Sequence, residues 1–139
     1  MKDTPVSAIM THPVVTINVH STLDEAEKLM RRQKIRHLPV VKSQRLVGII
    51  SLTDLQRLSF ADNFGDEEID ADVAVYNMFR VRHVMVAHPT TIHIKQTIYD
   101  AAKILSEHEF HALPVIDGES VVGIITTTDL IRYFLEKME

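Results

Sequence analysis

Two short stretches of this chain combine hydroxyl and carboxylate side chains at the same spacing. Ser51-Leu52-Thr53-Asp54 and Thr126-Thr127-Thr128-Asp129 each follow an isoleucine-containing run and open an apolar-periodic segment. Such a run favours a buried strand, and Ser or Thr followed by Asp marks a helix N-terminus. An Asp carboxylate can accept hydrogen bonds from the 2′,3′-diol of a ribose, and hydroxyl and N–H groups at a helix start can hold phosphate oxygens.

The same spacing also has a purely structural explanation. Ser51-x-x-Asp54 and Thr126-x-x-Asp129 are capping-box patterns, in which the first and fourth residues satisfy each other's backbone N–H groups. On residue chemistry alone the cap is the simpler interpretation, and a ligand site is the alternative.

Both stretches belong to a much longer internal repeat. Residues 22–58 align without a gap on residues 97–133, an offset of 75 residues with 14 identities over 37 positions. Further upstream, Met10 corresponds to Met85. Identity at this level over a gap-free alignment indicates a tandem duplication, which decides the fold more strongly than any local signal.

Hydrophobic periodicity predicts the order β-α-β-β-α within each repeat. We place repeat 1 at residues 1–60, an acidic connection at 61–80 and repeat 2 at 81–139, with a helical turn at residues 6–10 ahead of the first strand. The fold class is therefore α/β, in the α+β sense. The connection is interpreted as a solvated loop, the alternative being a cation site or an acidic surface that faces a partner.

Composition excludes several classes of protein. The chain has 139 residues and a net charge of −4. It contains no Cys, so it has neither a disulfide framework nor thiolate chemistry. It contains no apolar run near the roughly 20 residues that span a bilayer and no apolar signal region at its start, so we expect a cytoplasmic protein. Basic residues concentrate between Lys28 and Arg45 without interleaved aromatics, so we interpret them as a solvated helix face and expect no nucleic-acid binding.

The repeated motifs resemble those of the cystathionine-β-synthase (CBS) domain. They are Leu-Pro-Val-Val at residues 38–41 or Leu-Pro-Val-Ile at 113–116, a polar turn, Val-Gly-Ile-Ile at 47–50 and 122–125, and the Ser/Thr-x-x-Asp motifs. The pair is similar to a Bateman module and, more loosely, to the CBS part of acetoin-utilisation-type proteins. The resemblance implies two repeats packed with pseudo-twofold symmetry, clefts that bind adenine nucleotides as regulatory ligands, no required cofactor and no enzyme activity. Any catalytic or transport domain is then expected on another chain.

The resemblance also implies a set of ligand-binding residues, and it favours a real site over a plain cap. They are Thr11, Thr16, Ile35, Arg36, Ser51, Thr53, Asp54, Thr91, Phe110, His111, Thr126, Thr128 and Asp129. Ile35 and Phe110 would line the adenine slot, and ordinary core packing is the alternative for both.

In such modules each cleft mixes the Asp motif of one repeat with the opening strand of the other. Asp129 is then expected beside Thr16, Ile35 and Arg36, and Asp54 beside Thr91, Phe110 and His111. Because Arg is always charged and His is largely neutral near pH 7, the Asp129 cleft is predicted to bind phosphate more tightly. If Arg36 points to solvent, the two clefts are equal.

Metal binding and catalysis have little support. His108-x-x-His111 straddles the end of a predicted helix and has no second cluster of ligands, so no metal site is expected. No nucleophile elbow or glycine-rich phosphate loop occurs.

Two functions remain, a sensor of an adenine nucleotide such as AMP, ADP or ATP, and an interaction scaffold with empty or vestigial clefts. A homodimer is expected, with possible contacts to an effector protein. We assign its interface to apolar helix surface at Leu23, Ala26, Leu29, Met30, Ile98, Ala101, Ile104 and Leu105.

Overall fold

The computed structural model describes residues 2–61 and 78–139, with the side chains of residues 59–61 left aside. The chain forms two compact units. One is continuous and comprises residues 16–88, and the other combines residues 1–15 with residues 89–139. Most of the predicted acidic connection, at residues 62–77, lies outside the described part of the chain.

The 16–88 unit is a mixed sheet flanked by helices. Its strand β1 is parallel to β2, β2 is antiparallel to β3, and β3 is antiparallel to the short β4. The elements in chain order are β1 (Ile17–Asn18), α1 (Leu23–Gln33), β2 (His37–Lys42), β3 (Arg45–Ser51), α2 (Leu52–Ala61), α3 (Val81–Val84) and β4 (Val86–Ala87).

The second unit repeats this plan. Its β5 is parallel to β6, and β6 is antiparallel to β7. The elements are a 3₁₀ helix (Val6–Ala8), β5 (Ile92–His93), α4 (Ile98–Ser106), β6 (Ala112–Asp117), β7 (Ser120–Thr126) and α5 (Thr127–Met138). The predicted β-α-β-β-α order and α/β class are confirmed in both repeats.

The two β-hairpins have the same register, as their shared residues require. Leu38 lies opposite Ile50 in one hairpin, and Leu113 lies opposite Ile125 in the other. The pairing shifts at the same place in each, between Val40 and Val41 and between Val115 and Ile116. A register is set by which residues must face the core, so equal sequences give equal pairing.

The opening segment of each repeat belongs to the unit that contains the other repeat's hairpin. We call residues 2–12 and 78–87 the first and second arm. In the 16–88 unit, β4 of the second arm pairs with Gly48 and Ile49. In the other unit, Thr11 of the first arm exchanges backbone hydrogen bonds with Ile124, at N···O distances of 2.8 and 3.2 Å. The compact units are therefore not the sequence repeats.

A methionine on each arm packs against a glycine in the neighbouring strand. A Cβ built on Gly48 would collide with Met85 and lie 3.0 Å from the carbonyl oxygen of Val86, and one built on Gly123 would collide with Met10. Only glycine leaves room for these sulfur atoms, so the glycine shared by the two Val-Gly-Ile-Ile runs has a packing reason.

Helices α1 and α4 bury the apolar faces that were assigned to a dimer interface. Leu23, Ala26 and Met30 are fully buried, and Ile98 is only 2% exposed. That assignment is wrong for six of the eight residues, because each helix covers its own unit's hairpin and contacts the following helix. The other two, Leu29 and Ile104, are half-buried. Large apolar side chains remain exposed instead along α5, at Ile131, Phe134, Leu135 and Met138. None of the helices in the described part of the chain is both long and apolar enough to cross a membrane.

Candidate functional site

Both Ser/Thr-x-x-Asp motifs form reciprocal caps at the starts of α2 and α5. The Asp54 N–H donates to Ser51 Oγ at 3.1 Å, and the Ser51 N–H donates to Asp54 Oδ2 at 3.3 Å. The Asp129 N–H donates to Thr126 Oγ1 at 3.1 Å, and the Thr126 N–H donates to Asp129 Oδ2 at 2.9 Å. The capping interpretation of these residues is confirmed.

The caps leave acceptor capacity on both carboxylates. Each cap uses the Oδ2 atom, whereas an ionised carboxylate offers about four lone-pair sites on two oxygens. Asp54 and Asp129 are half-buried, and the hydroxyl-bearing Thr53 and Thr128 beside them are exposed. Capping and ligand binding are therefore compatible at the same residue.

A third cap of the same kind occurs at α4, where no ligand motif was identified. The Asp100 N–H donates to Thr97 Oγ1 at 3.2 Å, and the Thr97 N–H donates to Asp100 Oδ2 at 3.1 Å. The residue before Asp100 is Tyr99, where the other two motifs have threonine. Capping geometry alone does not mark a ligand site, and the additional hydroxyl distinguishes the starts of α2 and α5.

The antiparallel hairpins bring a second group of predicted residues to each helix start. His37 lies opposite Ser51, so β2 begins where β3 ends. The Leu52 N–H donates to the Arg36 carbonyl at 2.8 Å, and in the other unit the Thr127 N–H donates to the His111 carbonyl at 3.0 Å. Both Arg36 and His111 are exposed.

The sequence groups Arg36 with Asp129 and His111 with Asp54, and that grouping stays a prediction. The backbone of each of the two residues is hydrogen-bonded to the helix start of its own repeat. The physical reason is the tight hairpin, since a strand that pairs with its neighbour begins beside the point where that neighbour ends. The predicted preference of the Asp129 site for phosphate depends on that grouping and also stays a prediction.

Ile35 and Phe110 occupy comparable places ahead of β2 and β6. Helix α1 is followed by its C-cap residue Lys34, which has the left-handed φ of 57°, and the Ile35 N–H donates to the Met30 carbonyl at 3.0 Å. Phe110 packs against the core of its unit and stacks on His108, with ring centroids 4.7 Å apart. Both side chains are half-buried, so Phe110 fits the core alternative while keeping part of its surface exposed.

The three remaining threonines of the predicted ligand-binding set lie in different units. Thr16 directly precedes β1 in the 16–88 unit, and Thr91 directly precedes β5 in the other; both are half-buried. Thr11 is exposed and bridges to Ile124, two residues before Thr126 on β7. Thr16 therefore belongs to the unit of Asp54, and Thr11 and Thr91 belong to the unit of Asp129.

Thr127, which the sequence places with Thr126 and Thr128 in the Asp129 cleft, makes a contact of its own. Besides its backbone bond, its Oγ1 donates to the His111 carbonyl at 3.4 Å. Its repeat counterpart is Leu52, which makes only the backbone bond to Arg36. The run of three threonines at 126–128 was the available signal, because only one repeat has a hydroxyl at this position.

His108, the first histidine of the His108-x-x-His111 pair, contacts a backbone carbonyl and an aromatic ring. His108 Nδ1 lies 2.8 Å from the Ile104 carbonyl oxygen, and the His108 ring stacks on Phe110. Across residues 2–61 and 78–139, no group of three or more His, Asp or Glu side chains is placed to hold a metal ion.

Comparison with known proteins agrees with this geometry. The CBS domain family model matches residues 6–60 and 81–136. A CBS domain-containing protein of Dictyostelium discoideum is 31% identical over 96% of this chain and 93% of its own length. An uncharacterized protein of Methanocaldococcus jannaschii is also 31% identical, over 98% of this chain. The chain spans about a third of the length of that protein and of a second relative from the same organism.

Solved structures of CBS pairs have the same fold. The chain is similar to Arabidopsis thaliana CBSX2 in complex with AMP, with a TM-score of 0.79, 26% identity and coverage of 98% and 99% of the two chains. It is similar to the CBS domain pair of protein MJ0100 in complex with 5′-methylthioadenosine and S-adenosyl-L-methionine, with a TM-score of 0.77, 28% identity and coverage of 96% and 98%.

The predicted likeness to acetoin-utilisation-type proteins is also confirmed. A putative acetoin utilization protein from Vibrio cholerae has a TM-score of 0.78 and 25% identity, with coverage of 96% of this chain and 92% of that one. The two matched segments account for both repeats, including their arms, hairpins and capped helices. The chain belongs to the CBS-domain family and is a tandem CBS pair.

Proposed function

We propose that this CBS pair is a regulatory module that binds an adenine nucleotide through the helix starts at residues 51–54 and 126–129. The observation that carries the proposal is the capped Asp in each repeat, which keeps one carboxylate oxygen outside the cap and has an exposed threonine hydroxyl beside it. The AMP complex of CBSX2 and the complex of the MJ0100 pair support the ligand class, because AMP, 5′-methylthioadenosine and S-adenosyl-L-methionine all carry adenine on a ribose with free 2′- and 3′-hydroxyls.

Different residues bind the ribose, the phosphate and the base of the proposed ligand. The carboxylates of Asp54 and Asp129 accept the ribose hydroxyls, since a vicinal diol supplies two donors and an ionised carboxylate only accepts. The hydroxyls of Thr53 and Thr128 and the positive end of each helix favour the phosphate. The half-buried Ile35 and Phe110 offer apolar surface to the base.

Thermal unfolding with and without ligand tests this proposal. A ligand that binds only the folded state raises its stability by about 2.7 kcal/mol at 100 times its Kd, which is a shift of several degrees in Tm for a chain of this size. AMP, ADP, ATP and S-adenosyl-L-methionine at millimolar concentration are the probes. If none of them moves the Tm, the proposal fails.

The third cap provides a matched control for the site. Asp54→Ala with Asp129→Ala should abolish the ligand-induced shift, while Asp100→Ala should lose a cap of the same geometry and keep the shift. If Asp100→Ala removes the shift as well, the loss comes from destabilisation and the assignment of the two Asp residues is wrong.

An interaction scaffold remains a second candidate, favoured by the exposed apolar side chains of α5. Ile131, Phe134, Leu135 and Met138 recur at the spacing of one helix face. We propose that a second copy of the chain covers this face, giving a homodimer that presents the pair to an effector on another chain. We assign no catalytic step to the pair itself, and its place of action is proposed to be the cytoplasm.

A further inference from the structure

Each arm places a methionine four residues after a buried valine. Val6 and Val81 are both fully buried. The Met10 N–H donates to the Val6 carbonyl and the Met85 N–H donates to the Val81 carbonyl, at 2.9 Å in both arms. Each methionine is therefore held at the end of one turn of chain whose first residue is fixed by burial.

Each methionine side chain lies against a glycine of the neighbouring strand. A Cβ built on Gly123 would lie 2.5, 3.1 and 3.2 Å from the Sδ, Cγ and Cε atoms of Met10. One built on Gly48 would collide with Met85 Sδ and lie 3.0 Å from both Met85 Cγ and the Val86 carbonyl oxygen. A thioether suits such a place, because it is apolar and polarisable and fills an irregular gap. The contact thus depends on a sulfur atom that carries no oxygen.

The methionines differ in how far solvent reaches them. Five of the six in the sequence lie in the described part of the chain. Met30 is fully buried, whereas Met78 and Met138 are 76% and 80% exposed. Met10 and Met85 are half-buried, so solvent reaches part of each side chain while its sulfur packs on the strand. Among the five, these two combine access from solvent with a contact that depends on the sulfur.

A peroxide is the class of oxidant that would change this contact. The sulfur attacks one oxygen of hydrogen peroxide, the O–O bond breaks, and that oxygen stays on the sulfur as a sulfoxide. The other oxygen leaves as water with both hydrogens, so the sulfur loses the two electrons that the peroxide gains. A sulfoxide is polar, and a polar group without a hydrogen bond is unfavourable in an apolar contact. Beside Gly48 the nearest atom outside Met85 is the Val86 carbonyl oxygen, which cannot donate to it.

We propose that Met10 and Met85 are oxidation sites through which peroxide releases the two arms from their strands. The sulfoxide moves off its glycine, and the backbone bonds that follow each methionine then open. In the first arm these are the bonds between Thr11 and Ile124, at 2.8 and 3.2 Å, and in the second they are the pairing of β4 with β3. Methionine sulfoxide reductases restore the thioether, so the change is reversible. Because the contact consists of protein groups alone, it responds with or without a nucleotide.

Leucine in place of the two methionines tests the proposal, because it has nearly the same volume and cannot be oxidised. The arm variant is Met10→Leu with Met85→Leu, and the control is Met78→Leu with Met138→Leu. The Tm of both and of wild type is measured before and after treatment with millimolar hydrogen peroxide, and peptide mass spectrometry identifies the oxidised residues. Wild type and control should each lose about 3–10 °C, and the arm variant should lose little.

An equal loss of Tm in the arm variant and wild type would overturn the proposal. Loss of the effect in the control would overturn it as well, because the exposed methionines would then carry it. A lowered wild-type Tm while Met10 and Met85 stay unoxidised would have the same meaning. Should the arm variant fold poorly, Met10→Leu and Met85→Leu carry the comparison singly, since each should protect its own arm and leave the other sensitive.

Amide hydrogen exchange distinguishes release of the arms from a general loss of stability. The Thr11 N–H donates to β7, and the His88 N–H donates to the Val47 carbonyl of β3 at 3.3 Å. Both amides should exchange several-fold faster after oxidation of wild type, because local opening exposes them. The N–H groups of Leu52 and Thr127, which close the hairpins of the same two units, should keep their rates. Equal acceleration of all four amides would exclude a selective release.

Discussion

At the scale of single residues, Arg36 is the charge that the hairpin brings to a candidate site. Its carbonyl holds the first N–H of α2, so its backbone position is fixed relative to Ser51 and Asp54. The guanidinium is exposed and permanently charged, and it can bind phosphate with two parallel hydrogen bonds. The counterpart residue at the start of α5 is His111, which has no permanent charge.

We therefore predict that Arg36 acts together with Asp54 in binding AMP. Arg36→Ala should weaken binding about 10- to 100-fold, the value of a charge-assisted hydrogen bond. In calorimetric double-mutant cycles, Arg36→Ala should couple with Asp54→Ala more strongly than with Asp129→Ala. Lys42→Ala removes the same charge at the far end of β2 and should leave the Kd nearly unchanged. A stronger coupling with Asp129 would instead support the cross-repeat grouping expected from the sequence.

Gly48 supports a second prediction at this scale. Gly48→Ala should lower the free energy of unfolding by about 1–3 kcal/mol, since the new Cβ meets Met85 and the Val86 carbonyl oxygen. Gly123→Ala should cost less, because its Cβ meets only the Met10 side chain, which can move. Urea unfolding of both variants measures the difference, and equal losses would show that the backbone contact with Val86 has no separate effect.

At the scale of elements, the repeats and their strands could be predicted from the sequence. The hairpin with which each arm pairs could not. Hairpin register follows from residues that the two repeats share, so periodicity and the 75-residue offset were sufficient. The arms present the opposite case. Met10 and Met85 are equivalent, and so are the glycines against which they pack, Gly123 and Gly48. Because each methionine would fit against either glycine, no local pattern shows whether an arm pairs with the hairpin of its own repeat or with that of the other repeat.

The capped helix starts of the candidate site could be predicted from the sequence, whereas the grouping of its other residues stays a prediction. The Ser/Thr-x-x-Asp motifs identify the capped helix starts, because cap chemistry is local. The backbones of Arg36 and His111 lie beside the cap of their own repeat because of the hairpin connection, whereas the resemblance groups these residues with the cap of the other repeat. The apolar faces of α1 and α4 were misread as free surface, since periodicity shows that a face is apolar and not what covers it.

The first arm offers a direct test of these packing relations. Val6 is fully buried in the core of the unit formed by residues 1–15 and 89–139. Val6→Ala should lower the free energy of unfolding by about 1–3 kcal/mol, through lost burial and the cavity it leaves. The matched control is Val86→Ala on the second arm, where the side chain is 54% exposed and little should change. Equal effects in chemical denaturation would contradict the described burial.

At the scale of the whole molecule, the exposed face of α5 distinguishes the two repeats. Its residues Ile131, Phe134 and Leu135 correspond to Gln56, Ser59 and Phe60 of α2, so two of the three positions are polar in the first repeat. An apolar face whose counterpart positions are mostly polar in the other repeat suits a twofold contact between like surfaces.

Light scattering should accordingly give about twice the monomer mass of 15.8 kDa at micromolar concentration. Ile131→Glu with Leu135→Glu should shift the protein to monomer, because burying two unpaired charges strongly disfavours the contact. Gln56→Glu on α2 serves as the control and should leave the mass unchanged. A wild-type monomer at these concentrations would exclude the proposed homodimer.

The division of the chain into a continuous and a discontinuous unit also sets an order of events during synthesis. The 16–88 unit has all its residues once position 88 has emerged from the ribosome, whereas the first 15 residues belong to a unit that is incomplete until β7 and α5 exist. Adding residues 89–139 takes about 3–10 s at 5–20 residues per second. Throughout that interval the nascent chain carries Val6 and Met10 without their final packing partners, so these two residues are made before the 16–88 unit and reach their native contacts after that unit has all its residues.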